Sequence, residues 1–227
     1  AQRPGWVVPW QARPVESSTG SGAVVDLQHA DGTAAGIGIL TAAHVVADTR
    51  FLQIQRSADR FGAEKSVVRV AAVCHENDLA LLEVADPSFL AGIAPLRVGA
   101  LDALPRVFDK VRVVGYPVGG DACSITEGNV TRIEVQQFSH SLRSGLALTV
   151  DAAINSGNSG GPVLSAKTSE VIGVAFQKMV ARGVELQGHA VPAPLIRMFL
   201  AEALAGRRGP MGPEDAPLRV QLPSLGC

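Results

Sequence analysis

The sequence predicts an all-β protein of short strands with one C-terminal helix. Aliphatic and β-branched runs of strand length recur along most of the chain, at residues 22–27, 37–41, 67–73, 79–84, 111–115, 147–151 and 171–176. Glycine and proline punctuate them, with Gly 24 and Pro 14 in 227 residues. Only one long stretch keeps helical spacing. Many short strands separated by turn residues argue for a barrel or a sandwich.

Taken in order, residues 1–19 hold three of the prolines and read as an extended N-terminal arm. Asp31-Gly32 marks a hairpin turn between the first two strands, and Gly119-Gly120-Asp121 marks another turn. The helix is expected at 193–205. Pro194 suits its first turn, and Leu195, Ile196, Phe199, Ala203 and Leu204 repeat along one face, widened by Met198 and Leu200. Gly206 is a natural stop, and the Arg207-to-Pro213 run after it reads as a linker. One globular domain is therefore expected over 20–205, with a separate tail at 206–227.

Bulk properties narrow the function. A hydrophobic content of 47% and 227 residues allow a sizeable buried core. Lys+Arg 20 against Asp+Glu 21 leaves a formal charge of −1, which provides no electrostatic footprint for nucleic acid or an anionic membrane. No apolar run approaches the ~20 residues that span a bilayer. Cys74, Cys123 and Cys227 are too few and too scattered for a disulfide framework, and Cys74 is expected as a buried free thiol. The sequence begins at Ala1 rather than methionine, so removal of a preceding targeting segment is expected.

Three motifs carry chemistry. Residues 155–162 read Asn-Ser-Gly-Asn-Ser-Gly-Gly-Pro. A serine hydroxyl is a poor nucleophile unless a base takes its proton and donors hold the oxyanion formed on attack. Ser159 is the candidate nucleophile. Ser156 competes, but only Ser159 is followed by Gly-Gly-Pro. The oxyanion site falls on Gly157, Asn158 and Ser159, with the N–H groups of Gly157 and Ser159 as donors. His44, in Thr41-Ala42-Ala43-His44, follows a strand and opens a small Ala-His-Val-Val segment, where an imidazole can accept the serine proton and return it to a leaving amine. His29, His75, His140 and His189 lack that context. Asp78, at the entrance of the apolar strand 79–84, can accept the imidazole N–H and set its tautomer; Glu76 and Asp86 are the other acids nearby. The order His, Asp, Ser is one of the chain orders known for this triad. There is no His-Glu-x-x-His, no phosphate-binding glycine loop and no dinucleotide fingerprint, so no metal and no cofactor is expected.

With these residues in hand, the chain resembles a trypsin-like serine protease of the HtrA/Deg branch. The resemblance covers about 20–200: Gly20-Ser21-Gly22, Leu40 through Val46, Asn77 through Leu82, and Asp151-Ala152-Ala153-Ile154-Asn155 running into the serine motif. Gly115 through Asp121, Thr126 through Glu134, Pro9-Trp10-Gln11 and Gly188 through Pro192 are similar to the eukaryotic Deg subgroup best known from plants.

The resemblance implies two perpendicular six-stranded antiparallel barrels with the triad between them. It also implies a primary specificity pocket lined by Ile154, Asn155, Gly173, Val174, Ala175 and Phe176, for small or medium aliphatic residues. It implies an ATP-independent endopeptidase acting on unfolded or damaged proteins, assembled as a homo-oligomer of trimers or their multiples. The Trp6–Trp10 arm is a reasonable contact element. An organelle (chloroplast or mitochondrion) or the nucleus is the implied compartment, with the bacterial periplasm as the alternative. Leu218 through Gly226 resembles the opening strand of a PDZ domain. The competing reading is a protease fold kept as a chaperone or peptide-binding scaffold, its oxyanion site switched by the loop over residues 119–127.

Overall fold

The computed structural model describes residues 17–29, 32–56, 64–102, 104–117, 122–138, 140–155, 157–179, 187–206 and 216–222. Residues 1–16 of the N-terminal arm, Asp31, the Gly119-Gly120-Asp121 turn, Ser156, the linker at 207–213 and Cys227 lie outside these residues. In chain order the elements are β1 (Ala23–Gln28), β2 (Ala34–Thr41), α1 (Ala43–Val46), β3 (Gln53–Gln55), β4 (Lys65–Cys74), β5 (Leu79–Val84), a 3₁₀ turn (Pro87–Leu90), β6 (Lys110–Gly115), β7 (Ser124–Gln137), β8 (Ser144–Val150), β9 (Pro162–Ser165), β10 (Val171–Met179), β11 (Gln187–Pro192), α2 (Ala193–Ala205) and β12 (Leu218–Arg219). The strands expected from the sequence are all present, and β5 and α2 have the expected bounds.

The second half closes into a barrel in the order β10-β11-β8-β7-β6-β9, every pairing antiparallel. Closure removes the exposed edges that short strands would otherwise leave. Its interior follows the two-residue period: Val111 and Val113 of β6, Leu148 and Val150 of β8, Val163 of β9 and Ala190 of β11 are buried together. β7, at 14 residues, is the longest strand, yet the sequence reading passed over it. Its outer face mixes Glu127, Arg132 and Gln137 with the exposed Ile125 and Val135, and Gly128-Asn129 imitates a turn. Gly128 is needed for close approach instead, since a side chain there would press into Asp151 and the backbone of Ala152.

The first half forms a six-stranded sheet, β1-β2-β5-β4-β12 with β3 beside β4. Among the described residues its ladder does not close on itself, which differs from the second closed barrel that the family resemblance implied. β3 is only three residues long, and β1 gains only the single bridge from Val25 to Leu96 beyond β2. The sheet also recruits β12 from the C-terminal tail. Leu218 and Arg219 pair parallel with Ala72 and Val73, the Val220 N–H donates to the Val73 carbonyl at 2.9 Å, and Val220 and Leu222 are buried. Residues that resemble the opening of a further domain thus pack here as part of this one.

The two halves share a core. Leu27, Leu40, Leu79 and Leu81 of the sheet meet Phe138, Val174, Phe176 and Val191 of the barrel and Ile196, Phe199 and Ala203 of α2. The buried residues of α2 (Ala193, Ile196, Phe199, Leu200, Ala203 and Leu204) are those of the expected stripe, except that Leu195 and Met198 are only partly buried. Arg197 on the same helix donates to the carbonyls of Gly99 (3.0 Å) and Val98 (2.7 Å) and to Gln28 Oε1 (3.1 Å), holding the strap between the halves. Gly206 ends the helix in right-handed conformation, φ −77°. Its lack of a side chain makes room for Leu218, whose Cδ1 would lie 3.2 Å from an added Cβ.

Two consequences can be measured. Phe199→Ala empties a fully buried site shared by both halves and is expected to cost about 3–5 kcal/mol, read as a fall in the urea midpoint. His189, 1% exposed, has its pKa lowered from the ordinary imidazole value, chiefly by burial. Its stabilising share is complete above an unfolded pKa of about 6.5 and is lost as pH falls toward the folded value, because the unfolded chain then binds the extra proton. The midpoint should therefore drop between about pH 7 and about pH 5, and His189→Leu should flatten that slope.

Candidate active site

The turn before β5 presents Asp78 in left-handed conformation, φ 53°, which an aspartate tolerates better than most residues. The residue is 2% exposed. Its carbonyl accepts the Ala43 N–H at 3.1 Å, and its Oδ1 accepts the His44 backbone N–H at 2.8 Å. Its Oδ2 lies 2.6 Å from His44 Nδ1. A carboxylate can only accept there, so Nδ1 carries the proton and Nε2 is left as a lone-pair base. α1 is seated by Ala43 and Val46, buried with Ile39, Ala80 and Leu82, so the backbone bearing His44 is fixed from both sides.

The serine run is folded by its glycines. Gly157 and Gly160 have φ of 98° and 83°. A side chain at Gly160 would collide with Thr41 Oγ1 and the Ser21 carbonyl, and would sit 3.0 Å from the Ala42 nitrogen. This contact brings the run against the end of β2, two residues before His44. Gly20 packs between Val45 and Ser159, an added Cβ lying 2.5 Å from Val45 Cγ1 and 3.3 Å from the Ser159 carbonyl oxygen. Within the run the Asn158 N–H donates to the Asn155 carbonyl (3.0 Å), the Gly161 N–H to the Asn158 carbonyl (2.9 Å) and the Gly160 N–H to the Ala175 carbonyl (2.7 Å). Asn158, grouped with the oxyanion residues from sequence, thus directs its N–H into the turn. Among the described residues, those of Gly157 and Ser159 have no such acceptor.

Ser21 is the residue that sequence reasoning missed as a functional one. Its Oγ donates to the Gly157 carbonyl at 2.6 Å and accepts the Tyr116 N–H at 2.8 Å. Its N–H donates to the Ser159 carbonyl at 2.8 Å, and its carbonyl accepts Thr41 Oγ1 at 2.7 Å. The available signal was a lone serine, Gly20-Ser21-Gly22, at the mouth of a strand. Its use depends on three segments that are remote in sequence.

The residues expected to line a pocket divide. Ile154 (3% exposed) packs with Ala175, Ala190 and Ile172 inside the barrel. It also fills the space left by Gly188, where an added Cβ would be 2.6 Å from Ile154 Cγ1. Gly173 packs against Ala190 and Leu148. Val174 and Phe176 face the opposite way, into the core shared with the sheet and α2. Asn155 is exposed and contributes its carbonyl to the turn. Gly188 and Ala190, taken from the sequence only as part of a family likeness, therefore belong with Ile154 and Ala175.

The competing groups have other roles. Asp86 Oδ1 accepts the Ser88 N–H at 2.9 Å and caps the 3₁₀ turn, an arrangement that lowers its pKa. The Glu76 carbonyl accepts from Ser141. Burial pushes the Cys74 thiol up, away from nucleophilic use. His29 and His75 are exposed, and His189 bonds to Thr149 within the fold. His140 is different: its ring stacks on that of His44 with centroids 4.4 Å apart and planes parallel. No cluster of metal-ligating side chains occurs among the described residues, and no helix among them is long and apolar enough to cross a membrane.

Comparison with known proteins identifies the family. Residues 20–174 match the model of the trypsin-like peptidase domain. The chain is 40% identical over 197 residues to Protease Do-like 4, mitochondrial, of Arabidopsis thaliana, covering 87% of this chain and 34% of that protein. It is 39% identical over 199 residues to Protease Do-like 2, chloroplastic, of the same plant, covering 88% and 30%. It thus spans about a third of the length of these curated relatives. Among solved structures, the HtrA-type protease AlgW with decapeptide shares the fold at a TM-score of 0.67 and 24% identity, over 86% of this chain and 55% of that one. The strand architecture, the seating of Asp78 against His44 and the matched residues together identify this chain as a member of the trypsin-like peptidase family, with Do-like proteases among its relatives.

Proposed function

We propose that this chain is a serine endopeptidase domain in which His44, Asp78 and Ser159 form a catalytic triad and hydrolysis proceeds through an acyl-enzyme. The observation that carries this reading is the buried Asp78 carboxylate on His44 Nδ1 at 2.6 Å, with the glycine run packed against the same stretch of backbone. His44 Nε2 takes the Ser159 Oγ proton as Oγ attacks the peptide carbonyl. The N–H groups of Gly157 and Ser159 hold the oxyanion. Asp78 stabilises the imidazolium that forms, and His44 then protonates the leaving amine. Water, deprotonated by the same Nε2, releases the acyl group.

The family resemblance supports small or medium aliphatic side chains before the cut; Ile154, Ala175 and Ala190, at 3%, 0% and 0% exposure, belong to the barrel interior. The family resemblance supports unfolded or damaged protein as substrate, without ATP. The two Arabidopsis relatives, one mitochondrial and one chloroplastic, support an organelle as the compartment. Assembly into trimers or their multiples is an expectation that sedimentation of the purified chain can test.

Three variants test the chemistry. Ser159→Ala should abolish both casein hydrolysis and labelling by a fluorophosphonate probe; hydrolysis at the wild-type rate would overturn the assignment. Folded wild-type protein that failed to label would favour the binding-scaffold reading. Asp78→Asn, which keeps the shape but misdirects the His44 tautomer, should lower kcat on the order of 10⁴-fold. Ser21→Ala releases both the Gly157 carbonyl and the Tyr116 N–H and should lower kcat at least about tenfold, the loss of two buried hydrogen bonds, with KM nearly constant.

A further inference from the structure

The β7–β8 loop is built with more constraint than a surface hairpin needs. Phe138, 1% exposed, plugs the core shared by the two halves and lies against Phe176 with ring centroids 4.5 Å apart. Its N–H donates to the Arg143 carbonyl at 2.8 Å, and its carbonyl accepts the Leu142 N–H at 2.8 Å. Leu142 turns the chain at φ 56°. Ser141 Oγ then donates to the Glu76 carbonyl at 3.2 Å. The loop is therefore tied to the same turn that carries Asp78, and its one imidazole lies flat on His44.

We propose that His140 is a positioning residue for the base: its ring, parallel to that of His44 at 4.4 Å, fixes the plane in which His44 presents Nε2. The inference rests on the triad reading given above. One hydrogen bond from Nδ1 to Asp78 fixes the ring edge but leaves rotation about that bond open. A flat neighbour on one face removes this freedom, and a loop tied to the Asp78 turn keeps both restraints in one frame. The small separation of Phe138 from His140 along the chain transmits the rigidity of the core to the stacked ring.

Charge supports the arrangement. The ionisable groups whose charges act on His140 are His44 and Asp78. Burial first, and the His44 charge second, hold the His140 imidazole below its ordinary value. A neutral His140 ring offers His44 an aromatic face, and an imidazolium is attracted to such a face. Two cations in this stack would repel.

The test uses His140→Ala and His140→Phe in the full chain, with folding checked by circular dichroism. The second-order rate of fluorophosphonate labelling of Ser159 should fall about tenfold for His140→Ala, while His140→Phe, which restores a flat face, stays within about threefold of wild type. Peptide hydrolysis should show the loss of His140→Ala in kcat rather than KM. The downfield proton of His44 Nδ1, followed by NMR, reads the ring without any turnover. It should stay sharp in the wild type and His140→Phe and broaden in His140→Ala. A sharp signal with a wild-type labelling rate in His140→Ala overturns the proposal. A Phe variant as impaired as the Ala variant overturns it too, since a flat face would then not suffice. If the wild type itself does not label, yet the proton signal changes as stated, the positioning role stands and the enzymatic reading falls.

Discussion

Ser21 commits its hydroxyl, its N–H and its carbonyl to the seam between the sheet and the barrel. The hydroxyl joins the Gly157 carbonyl to the Tyr116 N–H, the N–H reaches the Ser159 carbonyl, and the carbonyl takes the Thr41 hydroxyl. At 6% exposure these groups are shielded from water, so each lost partner would leave a polar atom unpaired in a poorly hydrating environment. The position of the serine run relative to β2, and so to His44, depends on this residue. Glycines at 160 and 161 follow from it: the seam is too narrow for side chains there.

The seam matters because the three groups proposed to react come from different halves. His44 and Asp78 belong to the sheet, and Ser159 belongs to the loop leading into the barrel strand β9. What aligns them is the apolar core beneath, where Leu79 of β5, Phe138 beside the β7–β8 loop and Phe176 of β10 pack together. Dense packing transmits small displacements rather than absorbing them, so the core and the seam act as one rigid mount. The mount is graded in water access. The Asp78 side chain is 3% exposed and that of His44 is 14% exposed. A buried carboxylate with two donors strongly favours a protonated Nδ1, while the partly open ring can still exchange a proton with substrate and solvent.

Legibility varied with the kind of force involved. Strands 79–84 and 111–115 and the helix at 193–205 could be read because a continuous apolar face writes a period into the chain. β7 escaped notice because most of its outward residues are polar and its glycine serves a neighbour rather than a turn. β9 is only four residues long, and β11 reads Gln-Gly-His-Ala-Val-Pro, where polar residues, glycine and proline interrupt any apolar run; both become strands only when the barrel closes around them. The tail at 218–222 read as the beginning of something else because its edge partner, β4, is far away in sequence. In the pocket region, neighbours on β10 were grouped by proximity along the chain, whereas strand geometry sends Ala175 toward Ile154 and Val174 and Phe176 to the other side.

The chain's own residue order determined the candidate nucleophile, base and acid, because each sits in a short motif whose chemistry is local: a serine among glycines, a histidine after a strand, an aspartate at a strand mouth. The same order determined the strand-rich architecture and the terminal helix through hydrophobic period. Only the tertiary structure decided that Ser21 stitches the site, that Gly188 makes room for Ile154, and that His140 lies on the face of His44. These depend on contacts across 95 and more residues in the first case. A contact of that span leaves no trace in local spacing, since it exists only once two independently formed sheets have packed.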